Sequence, residues 1–217
     1  MTTRSTFFVL GATGGTGKRF VELALSQGHT VRCLVRNPVK MSQSAGPGKL
    51  EVVQGSVVDD KVDLNPLVQG ADYVVIMVGE REVQATQMIC LPFVRRLVPC
   101  MREHGVKRLL FQAGGFSRPY GGSLSPILWI LRHTLARSYD GQHRDNEAVM
   151  EYLSTEAMDI EWMVHRAGIG GDGESKGRLE RAQTPSIATF RDVAAYNLTA
   201  LMEDTAIHTM ACSQYAK

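Results

Sequence analysis

The chain has 217 residues, of which 44% are hydrophobic and 21% charged, with a formal net charge of +2; these are ordinary globular proportions, and the length suits one compact core. Basic residues are interspersed with acidic ones, which argues against a dedicated nucleic-acid or anionic-membrane binder. Cys33, Cys90, Cys100 and Cys212 are widely spaced and form no C-x-x-C pair, so no metal site or disulfide framework is expected, and reduced thiols in a cytoplasmic protein are.

In chain order, Thr6 to Leu10 reads as a first strand. It is too short, and breaks into glycines too soon, to be a signal-peptide core or a membrane span. A helix from Gly17 to Gln27 follows, stopped by Gly28, and then strands at Thr30 to Val35 and Leu50 to Gln54. A short helix around Asn65 to Gln69 ends at Gly70, and a fourth strand covers Tyr73 to Val78. A long helix is predicted from Val83 to His104, with Met88, Leu91, Leu97, Val98 and Met101 packing on the sheet. Strands at Arg108 to Gln112 and Ile160 to His165 flank a helix from Gln142 to Thr155. A last helix spans Arg191 to Glu203, and a short strand falls near Thr209 to Cys212. Asn197 begins a glycosylation sequon, discounted because it sits in that last helix.

Apolar strands alternating with amphipathic helices predict an α/β, Rossmann-type, doubly wound and mainly parallel sheet, as one domain over residues 1–217. Two Gly/Ser/Pro-rich segments, about 114–126 and 170–187, lack periodicity and each follow a strand. Ligands of open α/β sheets sit beyond the carboxyl ends of the strands, so these segments are candidate substrate walls.

The loop Gly11-Ala12-Thr13-Gly14-Gly15-Thr16-Gly17 lies between a strand and a helix. A turn that brings backbone close to a pyrophosphate, whose charge faces a helix N-terminus, needs residues without a Cβ. Gly14, Gly15 and Thr16 are the expected donors, and Gly17 the close helix-to-sheet contact. A triphosphate P-loop would need Ser or Thr after Gly17-Lys18, where this chain has Arg19. At the end of the second strand, where NAD binders place an acidic residue for the ribose hydroxyls, stands Arg36. A guanidinium there suits a ribose phosphate, and the expected cofactor is NADP. Lys40 is a secondary contributor, and Arg32 reads as a solvated strand residue.

With these residues the chain resembles the atypical short-chain dehydrogenase/reductases, specifically the NmrA-like and biliverdin reductase B/flavin reductase-like NAD(P)-binding proteins. Further matches are Met77-Val78-Gly79, His143-Arg144 with Glu147, Trp162-Met163-Val164-His165-Arg166-Ala167 and Asp192-Val193-Ala194. The resemblance implies that Gly11, Thr13, Gly14, Gly15 and Thr16 hold the pyrophosphate. It likewise assigns Arg36 to the adenosine phosphate, Val78 and Gly79 to the neighbouring ribose, and Gly168 and Ile169 to the nicotinamide. Two positions depart from the family: Ser56 stands where an Asp reaches the adenine, and Ala113 where a Ser or Thr hydroxyl meets a substrate carbonyl.

Hydride transfer leaves negative charge to be protonated or stabilised. Tyr139 and His143, one helical turn apart, are the candidate catalytic pair, although Gly141 between them weakens the helix. The alternative for His143 is a structural role at a helix start beside Glu147. Ser117 and Tyr120 are loop residues that would also fall near the site. The expected activity is reduction of a small aromatic or apolar carbonyl, quinone or flavin-like substrate. A non-catalytic NADP-binding sensor of NmrA type and a non-redox isomerase, cyclase or dehydratase are the alternatives.

Overall fold

Phe7 and Val9 alternate with Phe8 and Leu10 along the first strand, and all four are fully buried. Successive strand residues point to opposite faces, so this strand must be covered on both sides. The computed structural model, which describes residues 4–41 and 46–216, shows that cover. Strands β1 (Thr6–Leu10), β2 (Thr30–Val35), β3 (Lys49–Gln54), β4 (Tyr73–Ile76), β5 (Arg108–Gly114) and β6 (Glu161–Gly171) are joined in the parallel order β3-β2-β1-β4-β5-β6. That is the doubly wound order, in which the chain reverses direction between β1 and β4 and opens a crevice at their carboxyl ends.

One face carries α2 (Asn65–Val68), α4 (Cys90–Glu103) and α6 (Asp140–Glu156), whose Leu67, Phe93, Leu97, Met101, Val149 and Leu153 pack on Phe8, Leu10, Val74, Ile76, Leu109 and Phe111. The other carries α1 (Gly15–Ser26) and α7 (Phe190–Met202), where Phe20, Ala24, Leu198 and Leu201 meet Phe7, Val9, Val31, Val75, Leu110 and Met163. All four cysteines are buried and unpaired. Among the described residues no helix is long and apolar enough to cross a membrane.

Several elements differ from the sequence expectation. The long helix from Val83 is two, α3 (Arg81–Gln84) and α4, and Met88 in the gap is 44% exposed instead of packing on the sheet. Pro92, in the first turn of α4, has no amide hydrogen with which to continue a helix arriving from α3, and a long-range contact adds to it. Asp145 of α6 is fully buried and accepts from the amides of Ile89 and Cys90 at 2.9 Å and of Leu91 at 3.0 Å, which begins a new helix there. Helix α5 (Pro126–His133) follows the first irregular segment, with Ser125 accepting from the Leu128 amide at its N-terminus. Strand β4 stops at Ile76, and β6 runs on to Gly171. The segment 170–187 is not structureless: β7 (Leu179–Ala182) pairs antiparallel with the terminal strand β9 (Met210–Tyr215), and β8 (Ile187–Thr189) pairs with the end of β6. Arg32 is not merely solvated. It bonds Glu51 and the carbonyls of Leu67 and Gln69, tying β2 to β3 and α2.

Candidate functional site

The first turn after β1 is built by what it lacks. Gly11 has φ +81°, and a Cβ there would stand 2.3 Å from the Met77 carbonyl oxygen; a Cβ on Gly17 would stand 2.0 Å from the Gly11 oxygen. Both positions therefore require glycine. The Gly14 amide closes the turn on the Gly11 oxygen at 2.9 Å. No side chain caps α1 and no acidic residue lies in its first turn, so the amides of Gly15 and Thr16 have no partner from within the helix and the positive end of its dipole is unopposed.

This turn borders a crevice of about 430 Å³ whose walls include Gly11, Thr13, Gly14, Leu34, Arg36, Lys40, Ser56, Val78 and Gly79. Six of the residues assigned from the sequence, from Gly11 through Arg36 to Gly79, thus share one cleft at the reversal point of the sheet. The remaining four assigned to the cofactor, Gly15, Thr16, Gly168 and Ile169, fall outside that lining. Gly15 abuts Phe190 of α7, with a Cβ there 2.3 Å from its ring, and Thr16 is buried. Gly168 and Ile169 lie at the far end, where β6 pairs with Ile187 and Ala188. Two groups were not foreseen. Arg36 is ion-paired with Glu80. Gln142 of α6 lies against Gly79, where a Cβ would stand 2.5 Å from its Nε2.

The candidate proton donors are not gathered on one open face. Tyr139 precedes α6, is 42% exposed, and lies under the Arg81 guanidinium. His143 is 4% exposed, with Nδ1 3.2 Å from the Ser117 hydroxyl and Nε2 buried without a partner. Burial, reinforced by the Arg132 cation, pulls its pKa down to about 4, so it is a neutral imidazole at ordinary pH. Ser117 is fully buried and also takes the Asn146 amide at 3.2 Å, so its hydroxyl holds His143 and does not replace the one missing at Ala113. Glu147 is not the partner of His143. It accepts from Arg132 and from the Arg118 amide, fastening the loop after β5 and helix α5 to α6.

The two segments proposed as substrate walls do meet. A Cβ on Gly115 would be 3.0 Å from Pro185 Cγ, and one on Gly168 2.5 Å from the Ser186 oxygen. Tyr120 is 49% exposed, its amide donating to Met210 Sδ. Below this end of the sheet runs a buried polar chain. The Asn197 amide bonds Gln112 at 2.8 Å and His165 Nδ1 at 2.6 Å, and His165 Nε2 meets Ser213 at 2.8 Å. The asparagine of the sequon is therefore enclosed.

Burial holds His165 near pKa 4 as well. Unfolded, both imidazoles titrate near 6.5, so between pH 6.5 and 5 the unfolded chain binds more protons than the folded one. Folding stability should accordingly fall as pH drops through that window, by about 1 kcal/mol per pH unit for each histidine. Urea midpoints at pH 7 and pH 5 measure this, and equal midpoints would contradict it.

The profile of the NAD(P)H-binding family matches residues 11–204. Among solved structures, the oxidoreductase YlbE from Lactococcus lactis superposes with a TM-score of 0.75 at 16% identity, covering 98% of this chain and 91% of its own. The anaerobillin reductase ChuY from Escherichia coli O157:H7 superposes at 0.70 and 17%, covering 96% of each chain. A short-chain dehydrogenase/reductase from Veillonella parvula does so at 0.70 and 14%, covering 98% and 95%. These likenesses extend the match in fold across the whole sheet.

Proposed function

The chain belongs to the NAD(P)H-binding family, and from that premise we propose that it is an NADP-dependent oxidoreductase that reduces a small aromatic or apolar carbonyl, quinone or flavin-like substrate. The carrying observation is that the Gly11–Gly17 turn and Arg36 border one crevice, with Lys40 beside them. A dinucleotide fits these residues. Gly11 and Gly17 leave no room for a side chain at the turn, and the uncapped start of α1 suits a pyrophosphate. Arg36 and Lys40 supply the positive end for a ribose phosphate.

When bound, the cofactor supplies the hydride. The chain's own part is to hold and orient. The backbone at Gly14 to Thr16 would hold the pyrophosphate, while Val78 and Gly79 would lie against the ribose. The Gln142 side-chain amide beside Gly79 offers an N–H donor there. Ala113 brings no hydroxyl, and neutral His143 is enclosed. That favours acceptors such as quinones or flavin-like rings, whose reduced oxygen or nitrogen can take its proton from water, over simple ketones that need a positioned acid.

Arg36→Ala should weaken NADPH binding about 30-fold, equivalent to about 2 kcal/mol for a charge-assisted contact, and change NADH binding less than about threefold. Calorimetric titration of both cofactors tests the cofactor assignment, and equal or tighter NADH binding by the unmodified protein would overturn it. Following NADPH absorbance across a quinone, flavin and aldehyde panel tests the activity. The enclosed His143 and Ala113 also favour a second reading, an NADP-binding sensor. Tight NADPH binding without turnover of any panel member, together with partner binding that depends on cofactor redox state, would select it.

A further inference from the structure

Arg36 does not stand free in the crevice. Its guanidinium is ion-paired with the carboxylate of Glu80, the residue after Gly79, and the side chains are 65% and 38% exposed respectively. Both line the crevice, as do Lys40 and Ser56. The backbone that carries Glu80 is anchored. Its amide donates to Gln84 Oε1 at 2.8 Å, and Gln84, only 3% exposed, donates from Nε2 to the buried Asp145 at 2.7 Å.

A carboxylate at this place acts in opposite directions on the two dinucleotides. The free 2′-hydroxyl of NAD is a donor that a carboxylate accepts from. The 2′-phosphate of NADP is repelled by it and must also draw Arg36 away from its existing counter-ion. Family members that choose NAD by an acid at the end of the second strand place that acid where this chain has Arg36. Here the acid enters instead from the segment between β4 and α3.

We propose that Glu80 is a specificity-determining residue. It holds Arg36 as a counter-ion, lowers the preference for NADP that Arg36 alone would impose, and lets NAD use the same site. This rests on the cofactor reading above. Removing the charge while keeping the shape should then sharpen the choice.

The experiment is calorimetric titration of NADPH and NADH into the full chain and into Glu80→Gln, at low and at high salt. Glu80→Gln is expected to tighten NADPH about fivefold and weaken NADH about twofold, moving the ratio of the two Kd values about tenfold. The shift should shrink at high salt, where exposed charges are screened. The half-exposed position means that the variant should unfold at the same temperature as the unmodified chain, which a melting curve checks. Binding of both cofactors with a ratio unchanged within twofold would overturn the role of Glu80 alone. Failure of the unmodified chain to bind either cofactor would overturn the cofactor reading and this inference with it.

Discussion

Asp145→Ala is expected to lower folding stability by about 4 kcal/mol and the melting temperature by about 10 °C, an effect out of proportion to one side chain. The carboxylate is fully buried and, among the described residues, has no salt-bridge partner; it accepts instead from three consecutive amides at the start of α4 and from the Gln84 amide at 2.7 Å. An anion at a helix N-terminus is favoured by the dipole as well as by each charge-assisted bond. Truncation leaves those donors enclosed with nothing to bond. Asp145→Asn keeps one carbonyl acceptor and loses the charge, so about half the effect should remain. Urea denaturation measures both, and a loss below about 1 kcal/mol for the alanine variant would mean that water replaces the carboxylate. The effect should reach the crevice too. Gln84 links Asp145 to the Glu80 amide, so the alanine variant should also bind dinucleotide more weakly once refolded at low temperature.

The same residue explains where sequence reading stopped. The run from Val83 to His104 has helical spacing, and its local signal of a break there is Pro92, which has no amide hydrogen and suits a first turn; α4 begins without a side-chain cap from its own N-cap residue and with no acid in its first turn. The cap arrives from Asp145, far along the chain, and periodicity cannot register a contact of that range. The parallel sheet, by contrast, was legible because both-face burial writes unbroken apolar runs into β1, β4 and β5. The glycine turn was legible because Gly11 and Gly17 are each forced by a backbone atom within 2.3 Å of where a Cβ would be.

The chemical end of the site was less legible, for a reason that Arg36 and His143 share. Each was identified by what its side chain can do, and in each case a neighbour decides what it does. Glu80 neutralises Arg36, while burial, reinforced by the Arg132 cation, keeps His143 neutral and Ser117 ties it to the loop after β5. Glu80 and Ser117 both come from other strands' loops. Residue type at a position therefore indicated the ligand's charge better than it indicated the protein's proton chemistry. That is why the proposed substrate class rests on the absence of a placed acid more than on the presence of one.

The two ends of the glycine turn should separate fold from binding. In Gly17→Ala the new Cβ would stand 2.0 Å from the Gly11 oxygen, 2.7 Å from its carbonyl carbon and 3.0 Å from the Ala12 Cα. All three are backbone atoms of a turn pinned by the Gly14 amide, so the helix must withdraw from the strand. A loss of about 3 kcal/mol in stability and more than about 100-fold in dinucleotide affinity is expected. Gly14 differs. Its φ of −75° and ψ of 168° suit any residue, and a Cβ there meets only the Gly11 oxygen, at 3.3 Å. Gly14→Ala should therefore fold within about 1 kcal/mol of the unmodified chain. Yet Gly14 lines the crevice, and if the pyrophosphate lies there as proposed, a methyl group would hold it off the backbone and affinity should fall at least about tenfold. Melting curves and calorimetric titration on the two variants read the two quantities independently. Unchanged affinity in Gly14→Ala would place the phosphates away from the turn, and normal stability in Gly17→Ala would show that the helix can move without loss. If both results come out as expected, the glycines at the two positions serve different ends: Gly17 lets the helix reach the sheet, and Gly14 lets the ligand reach the helix.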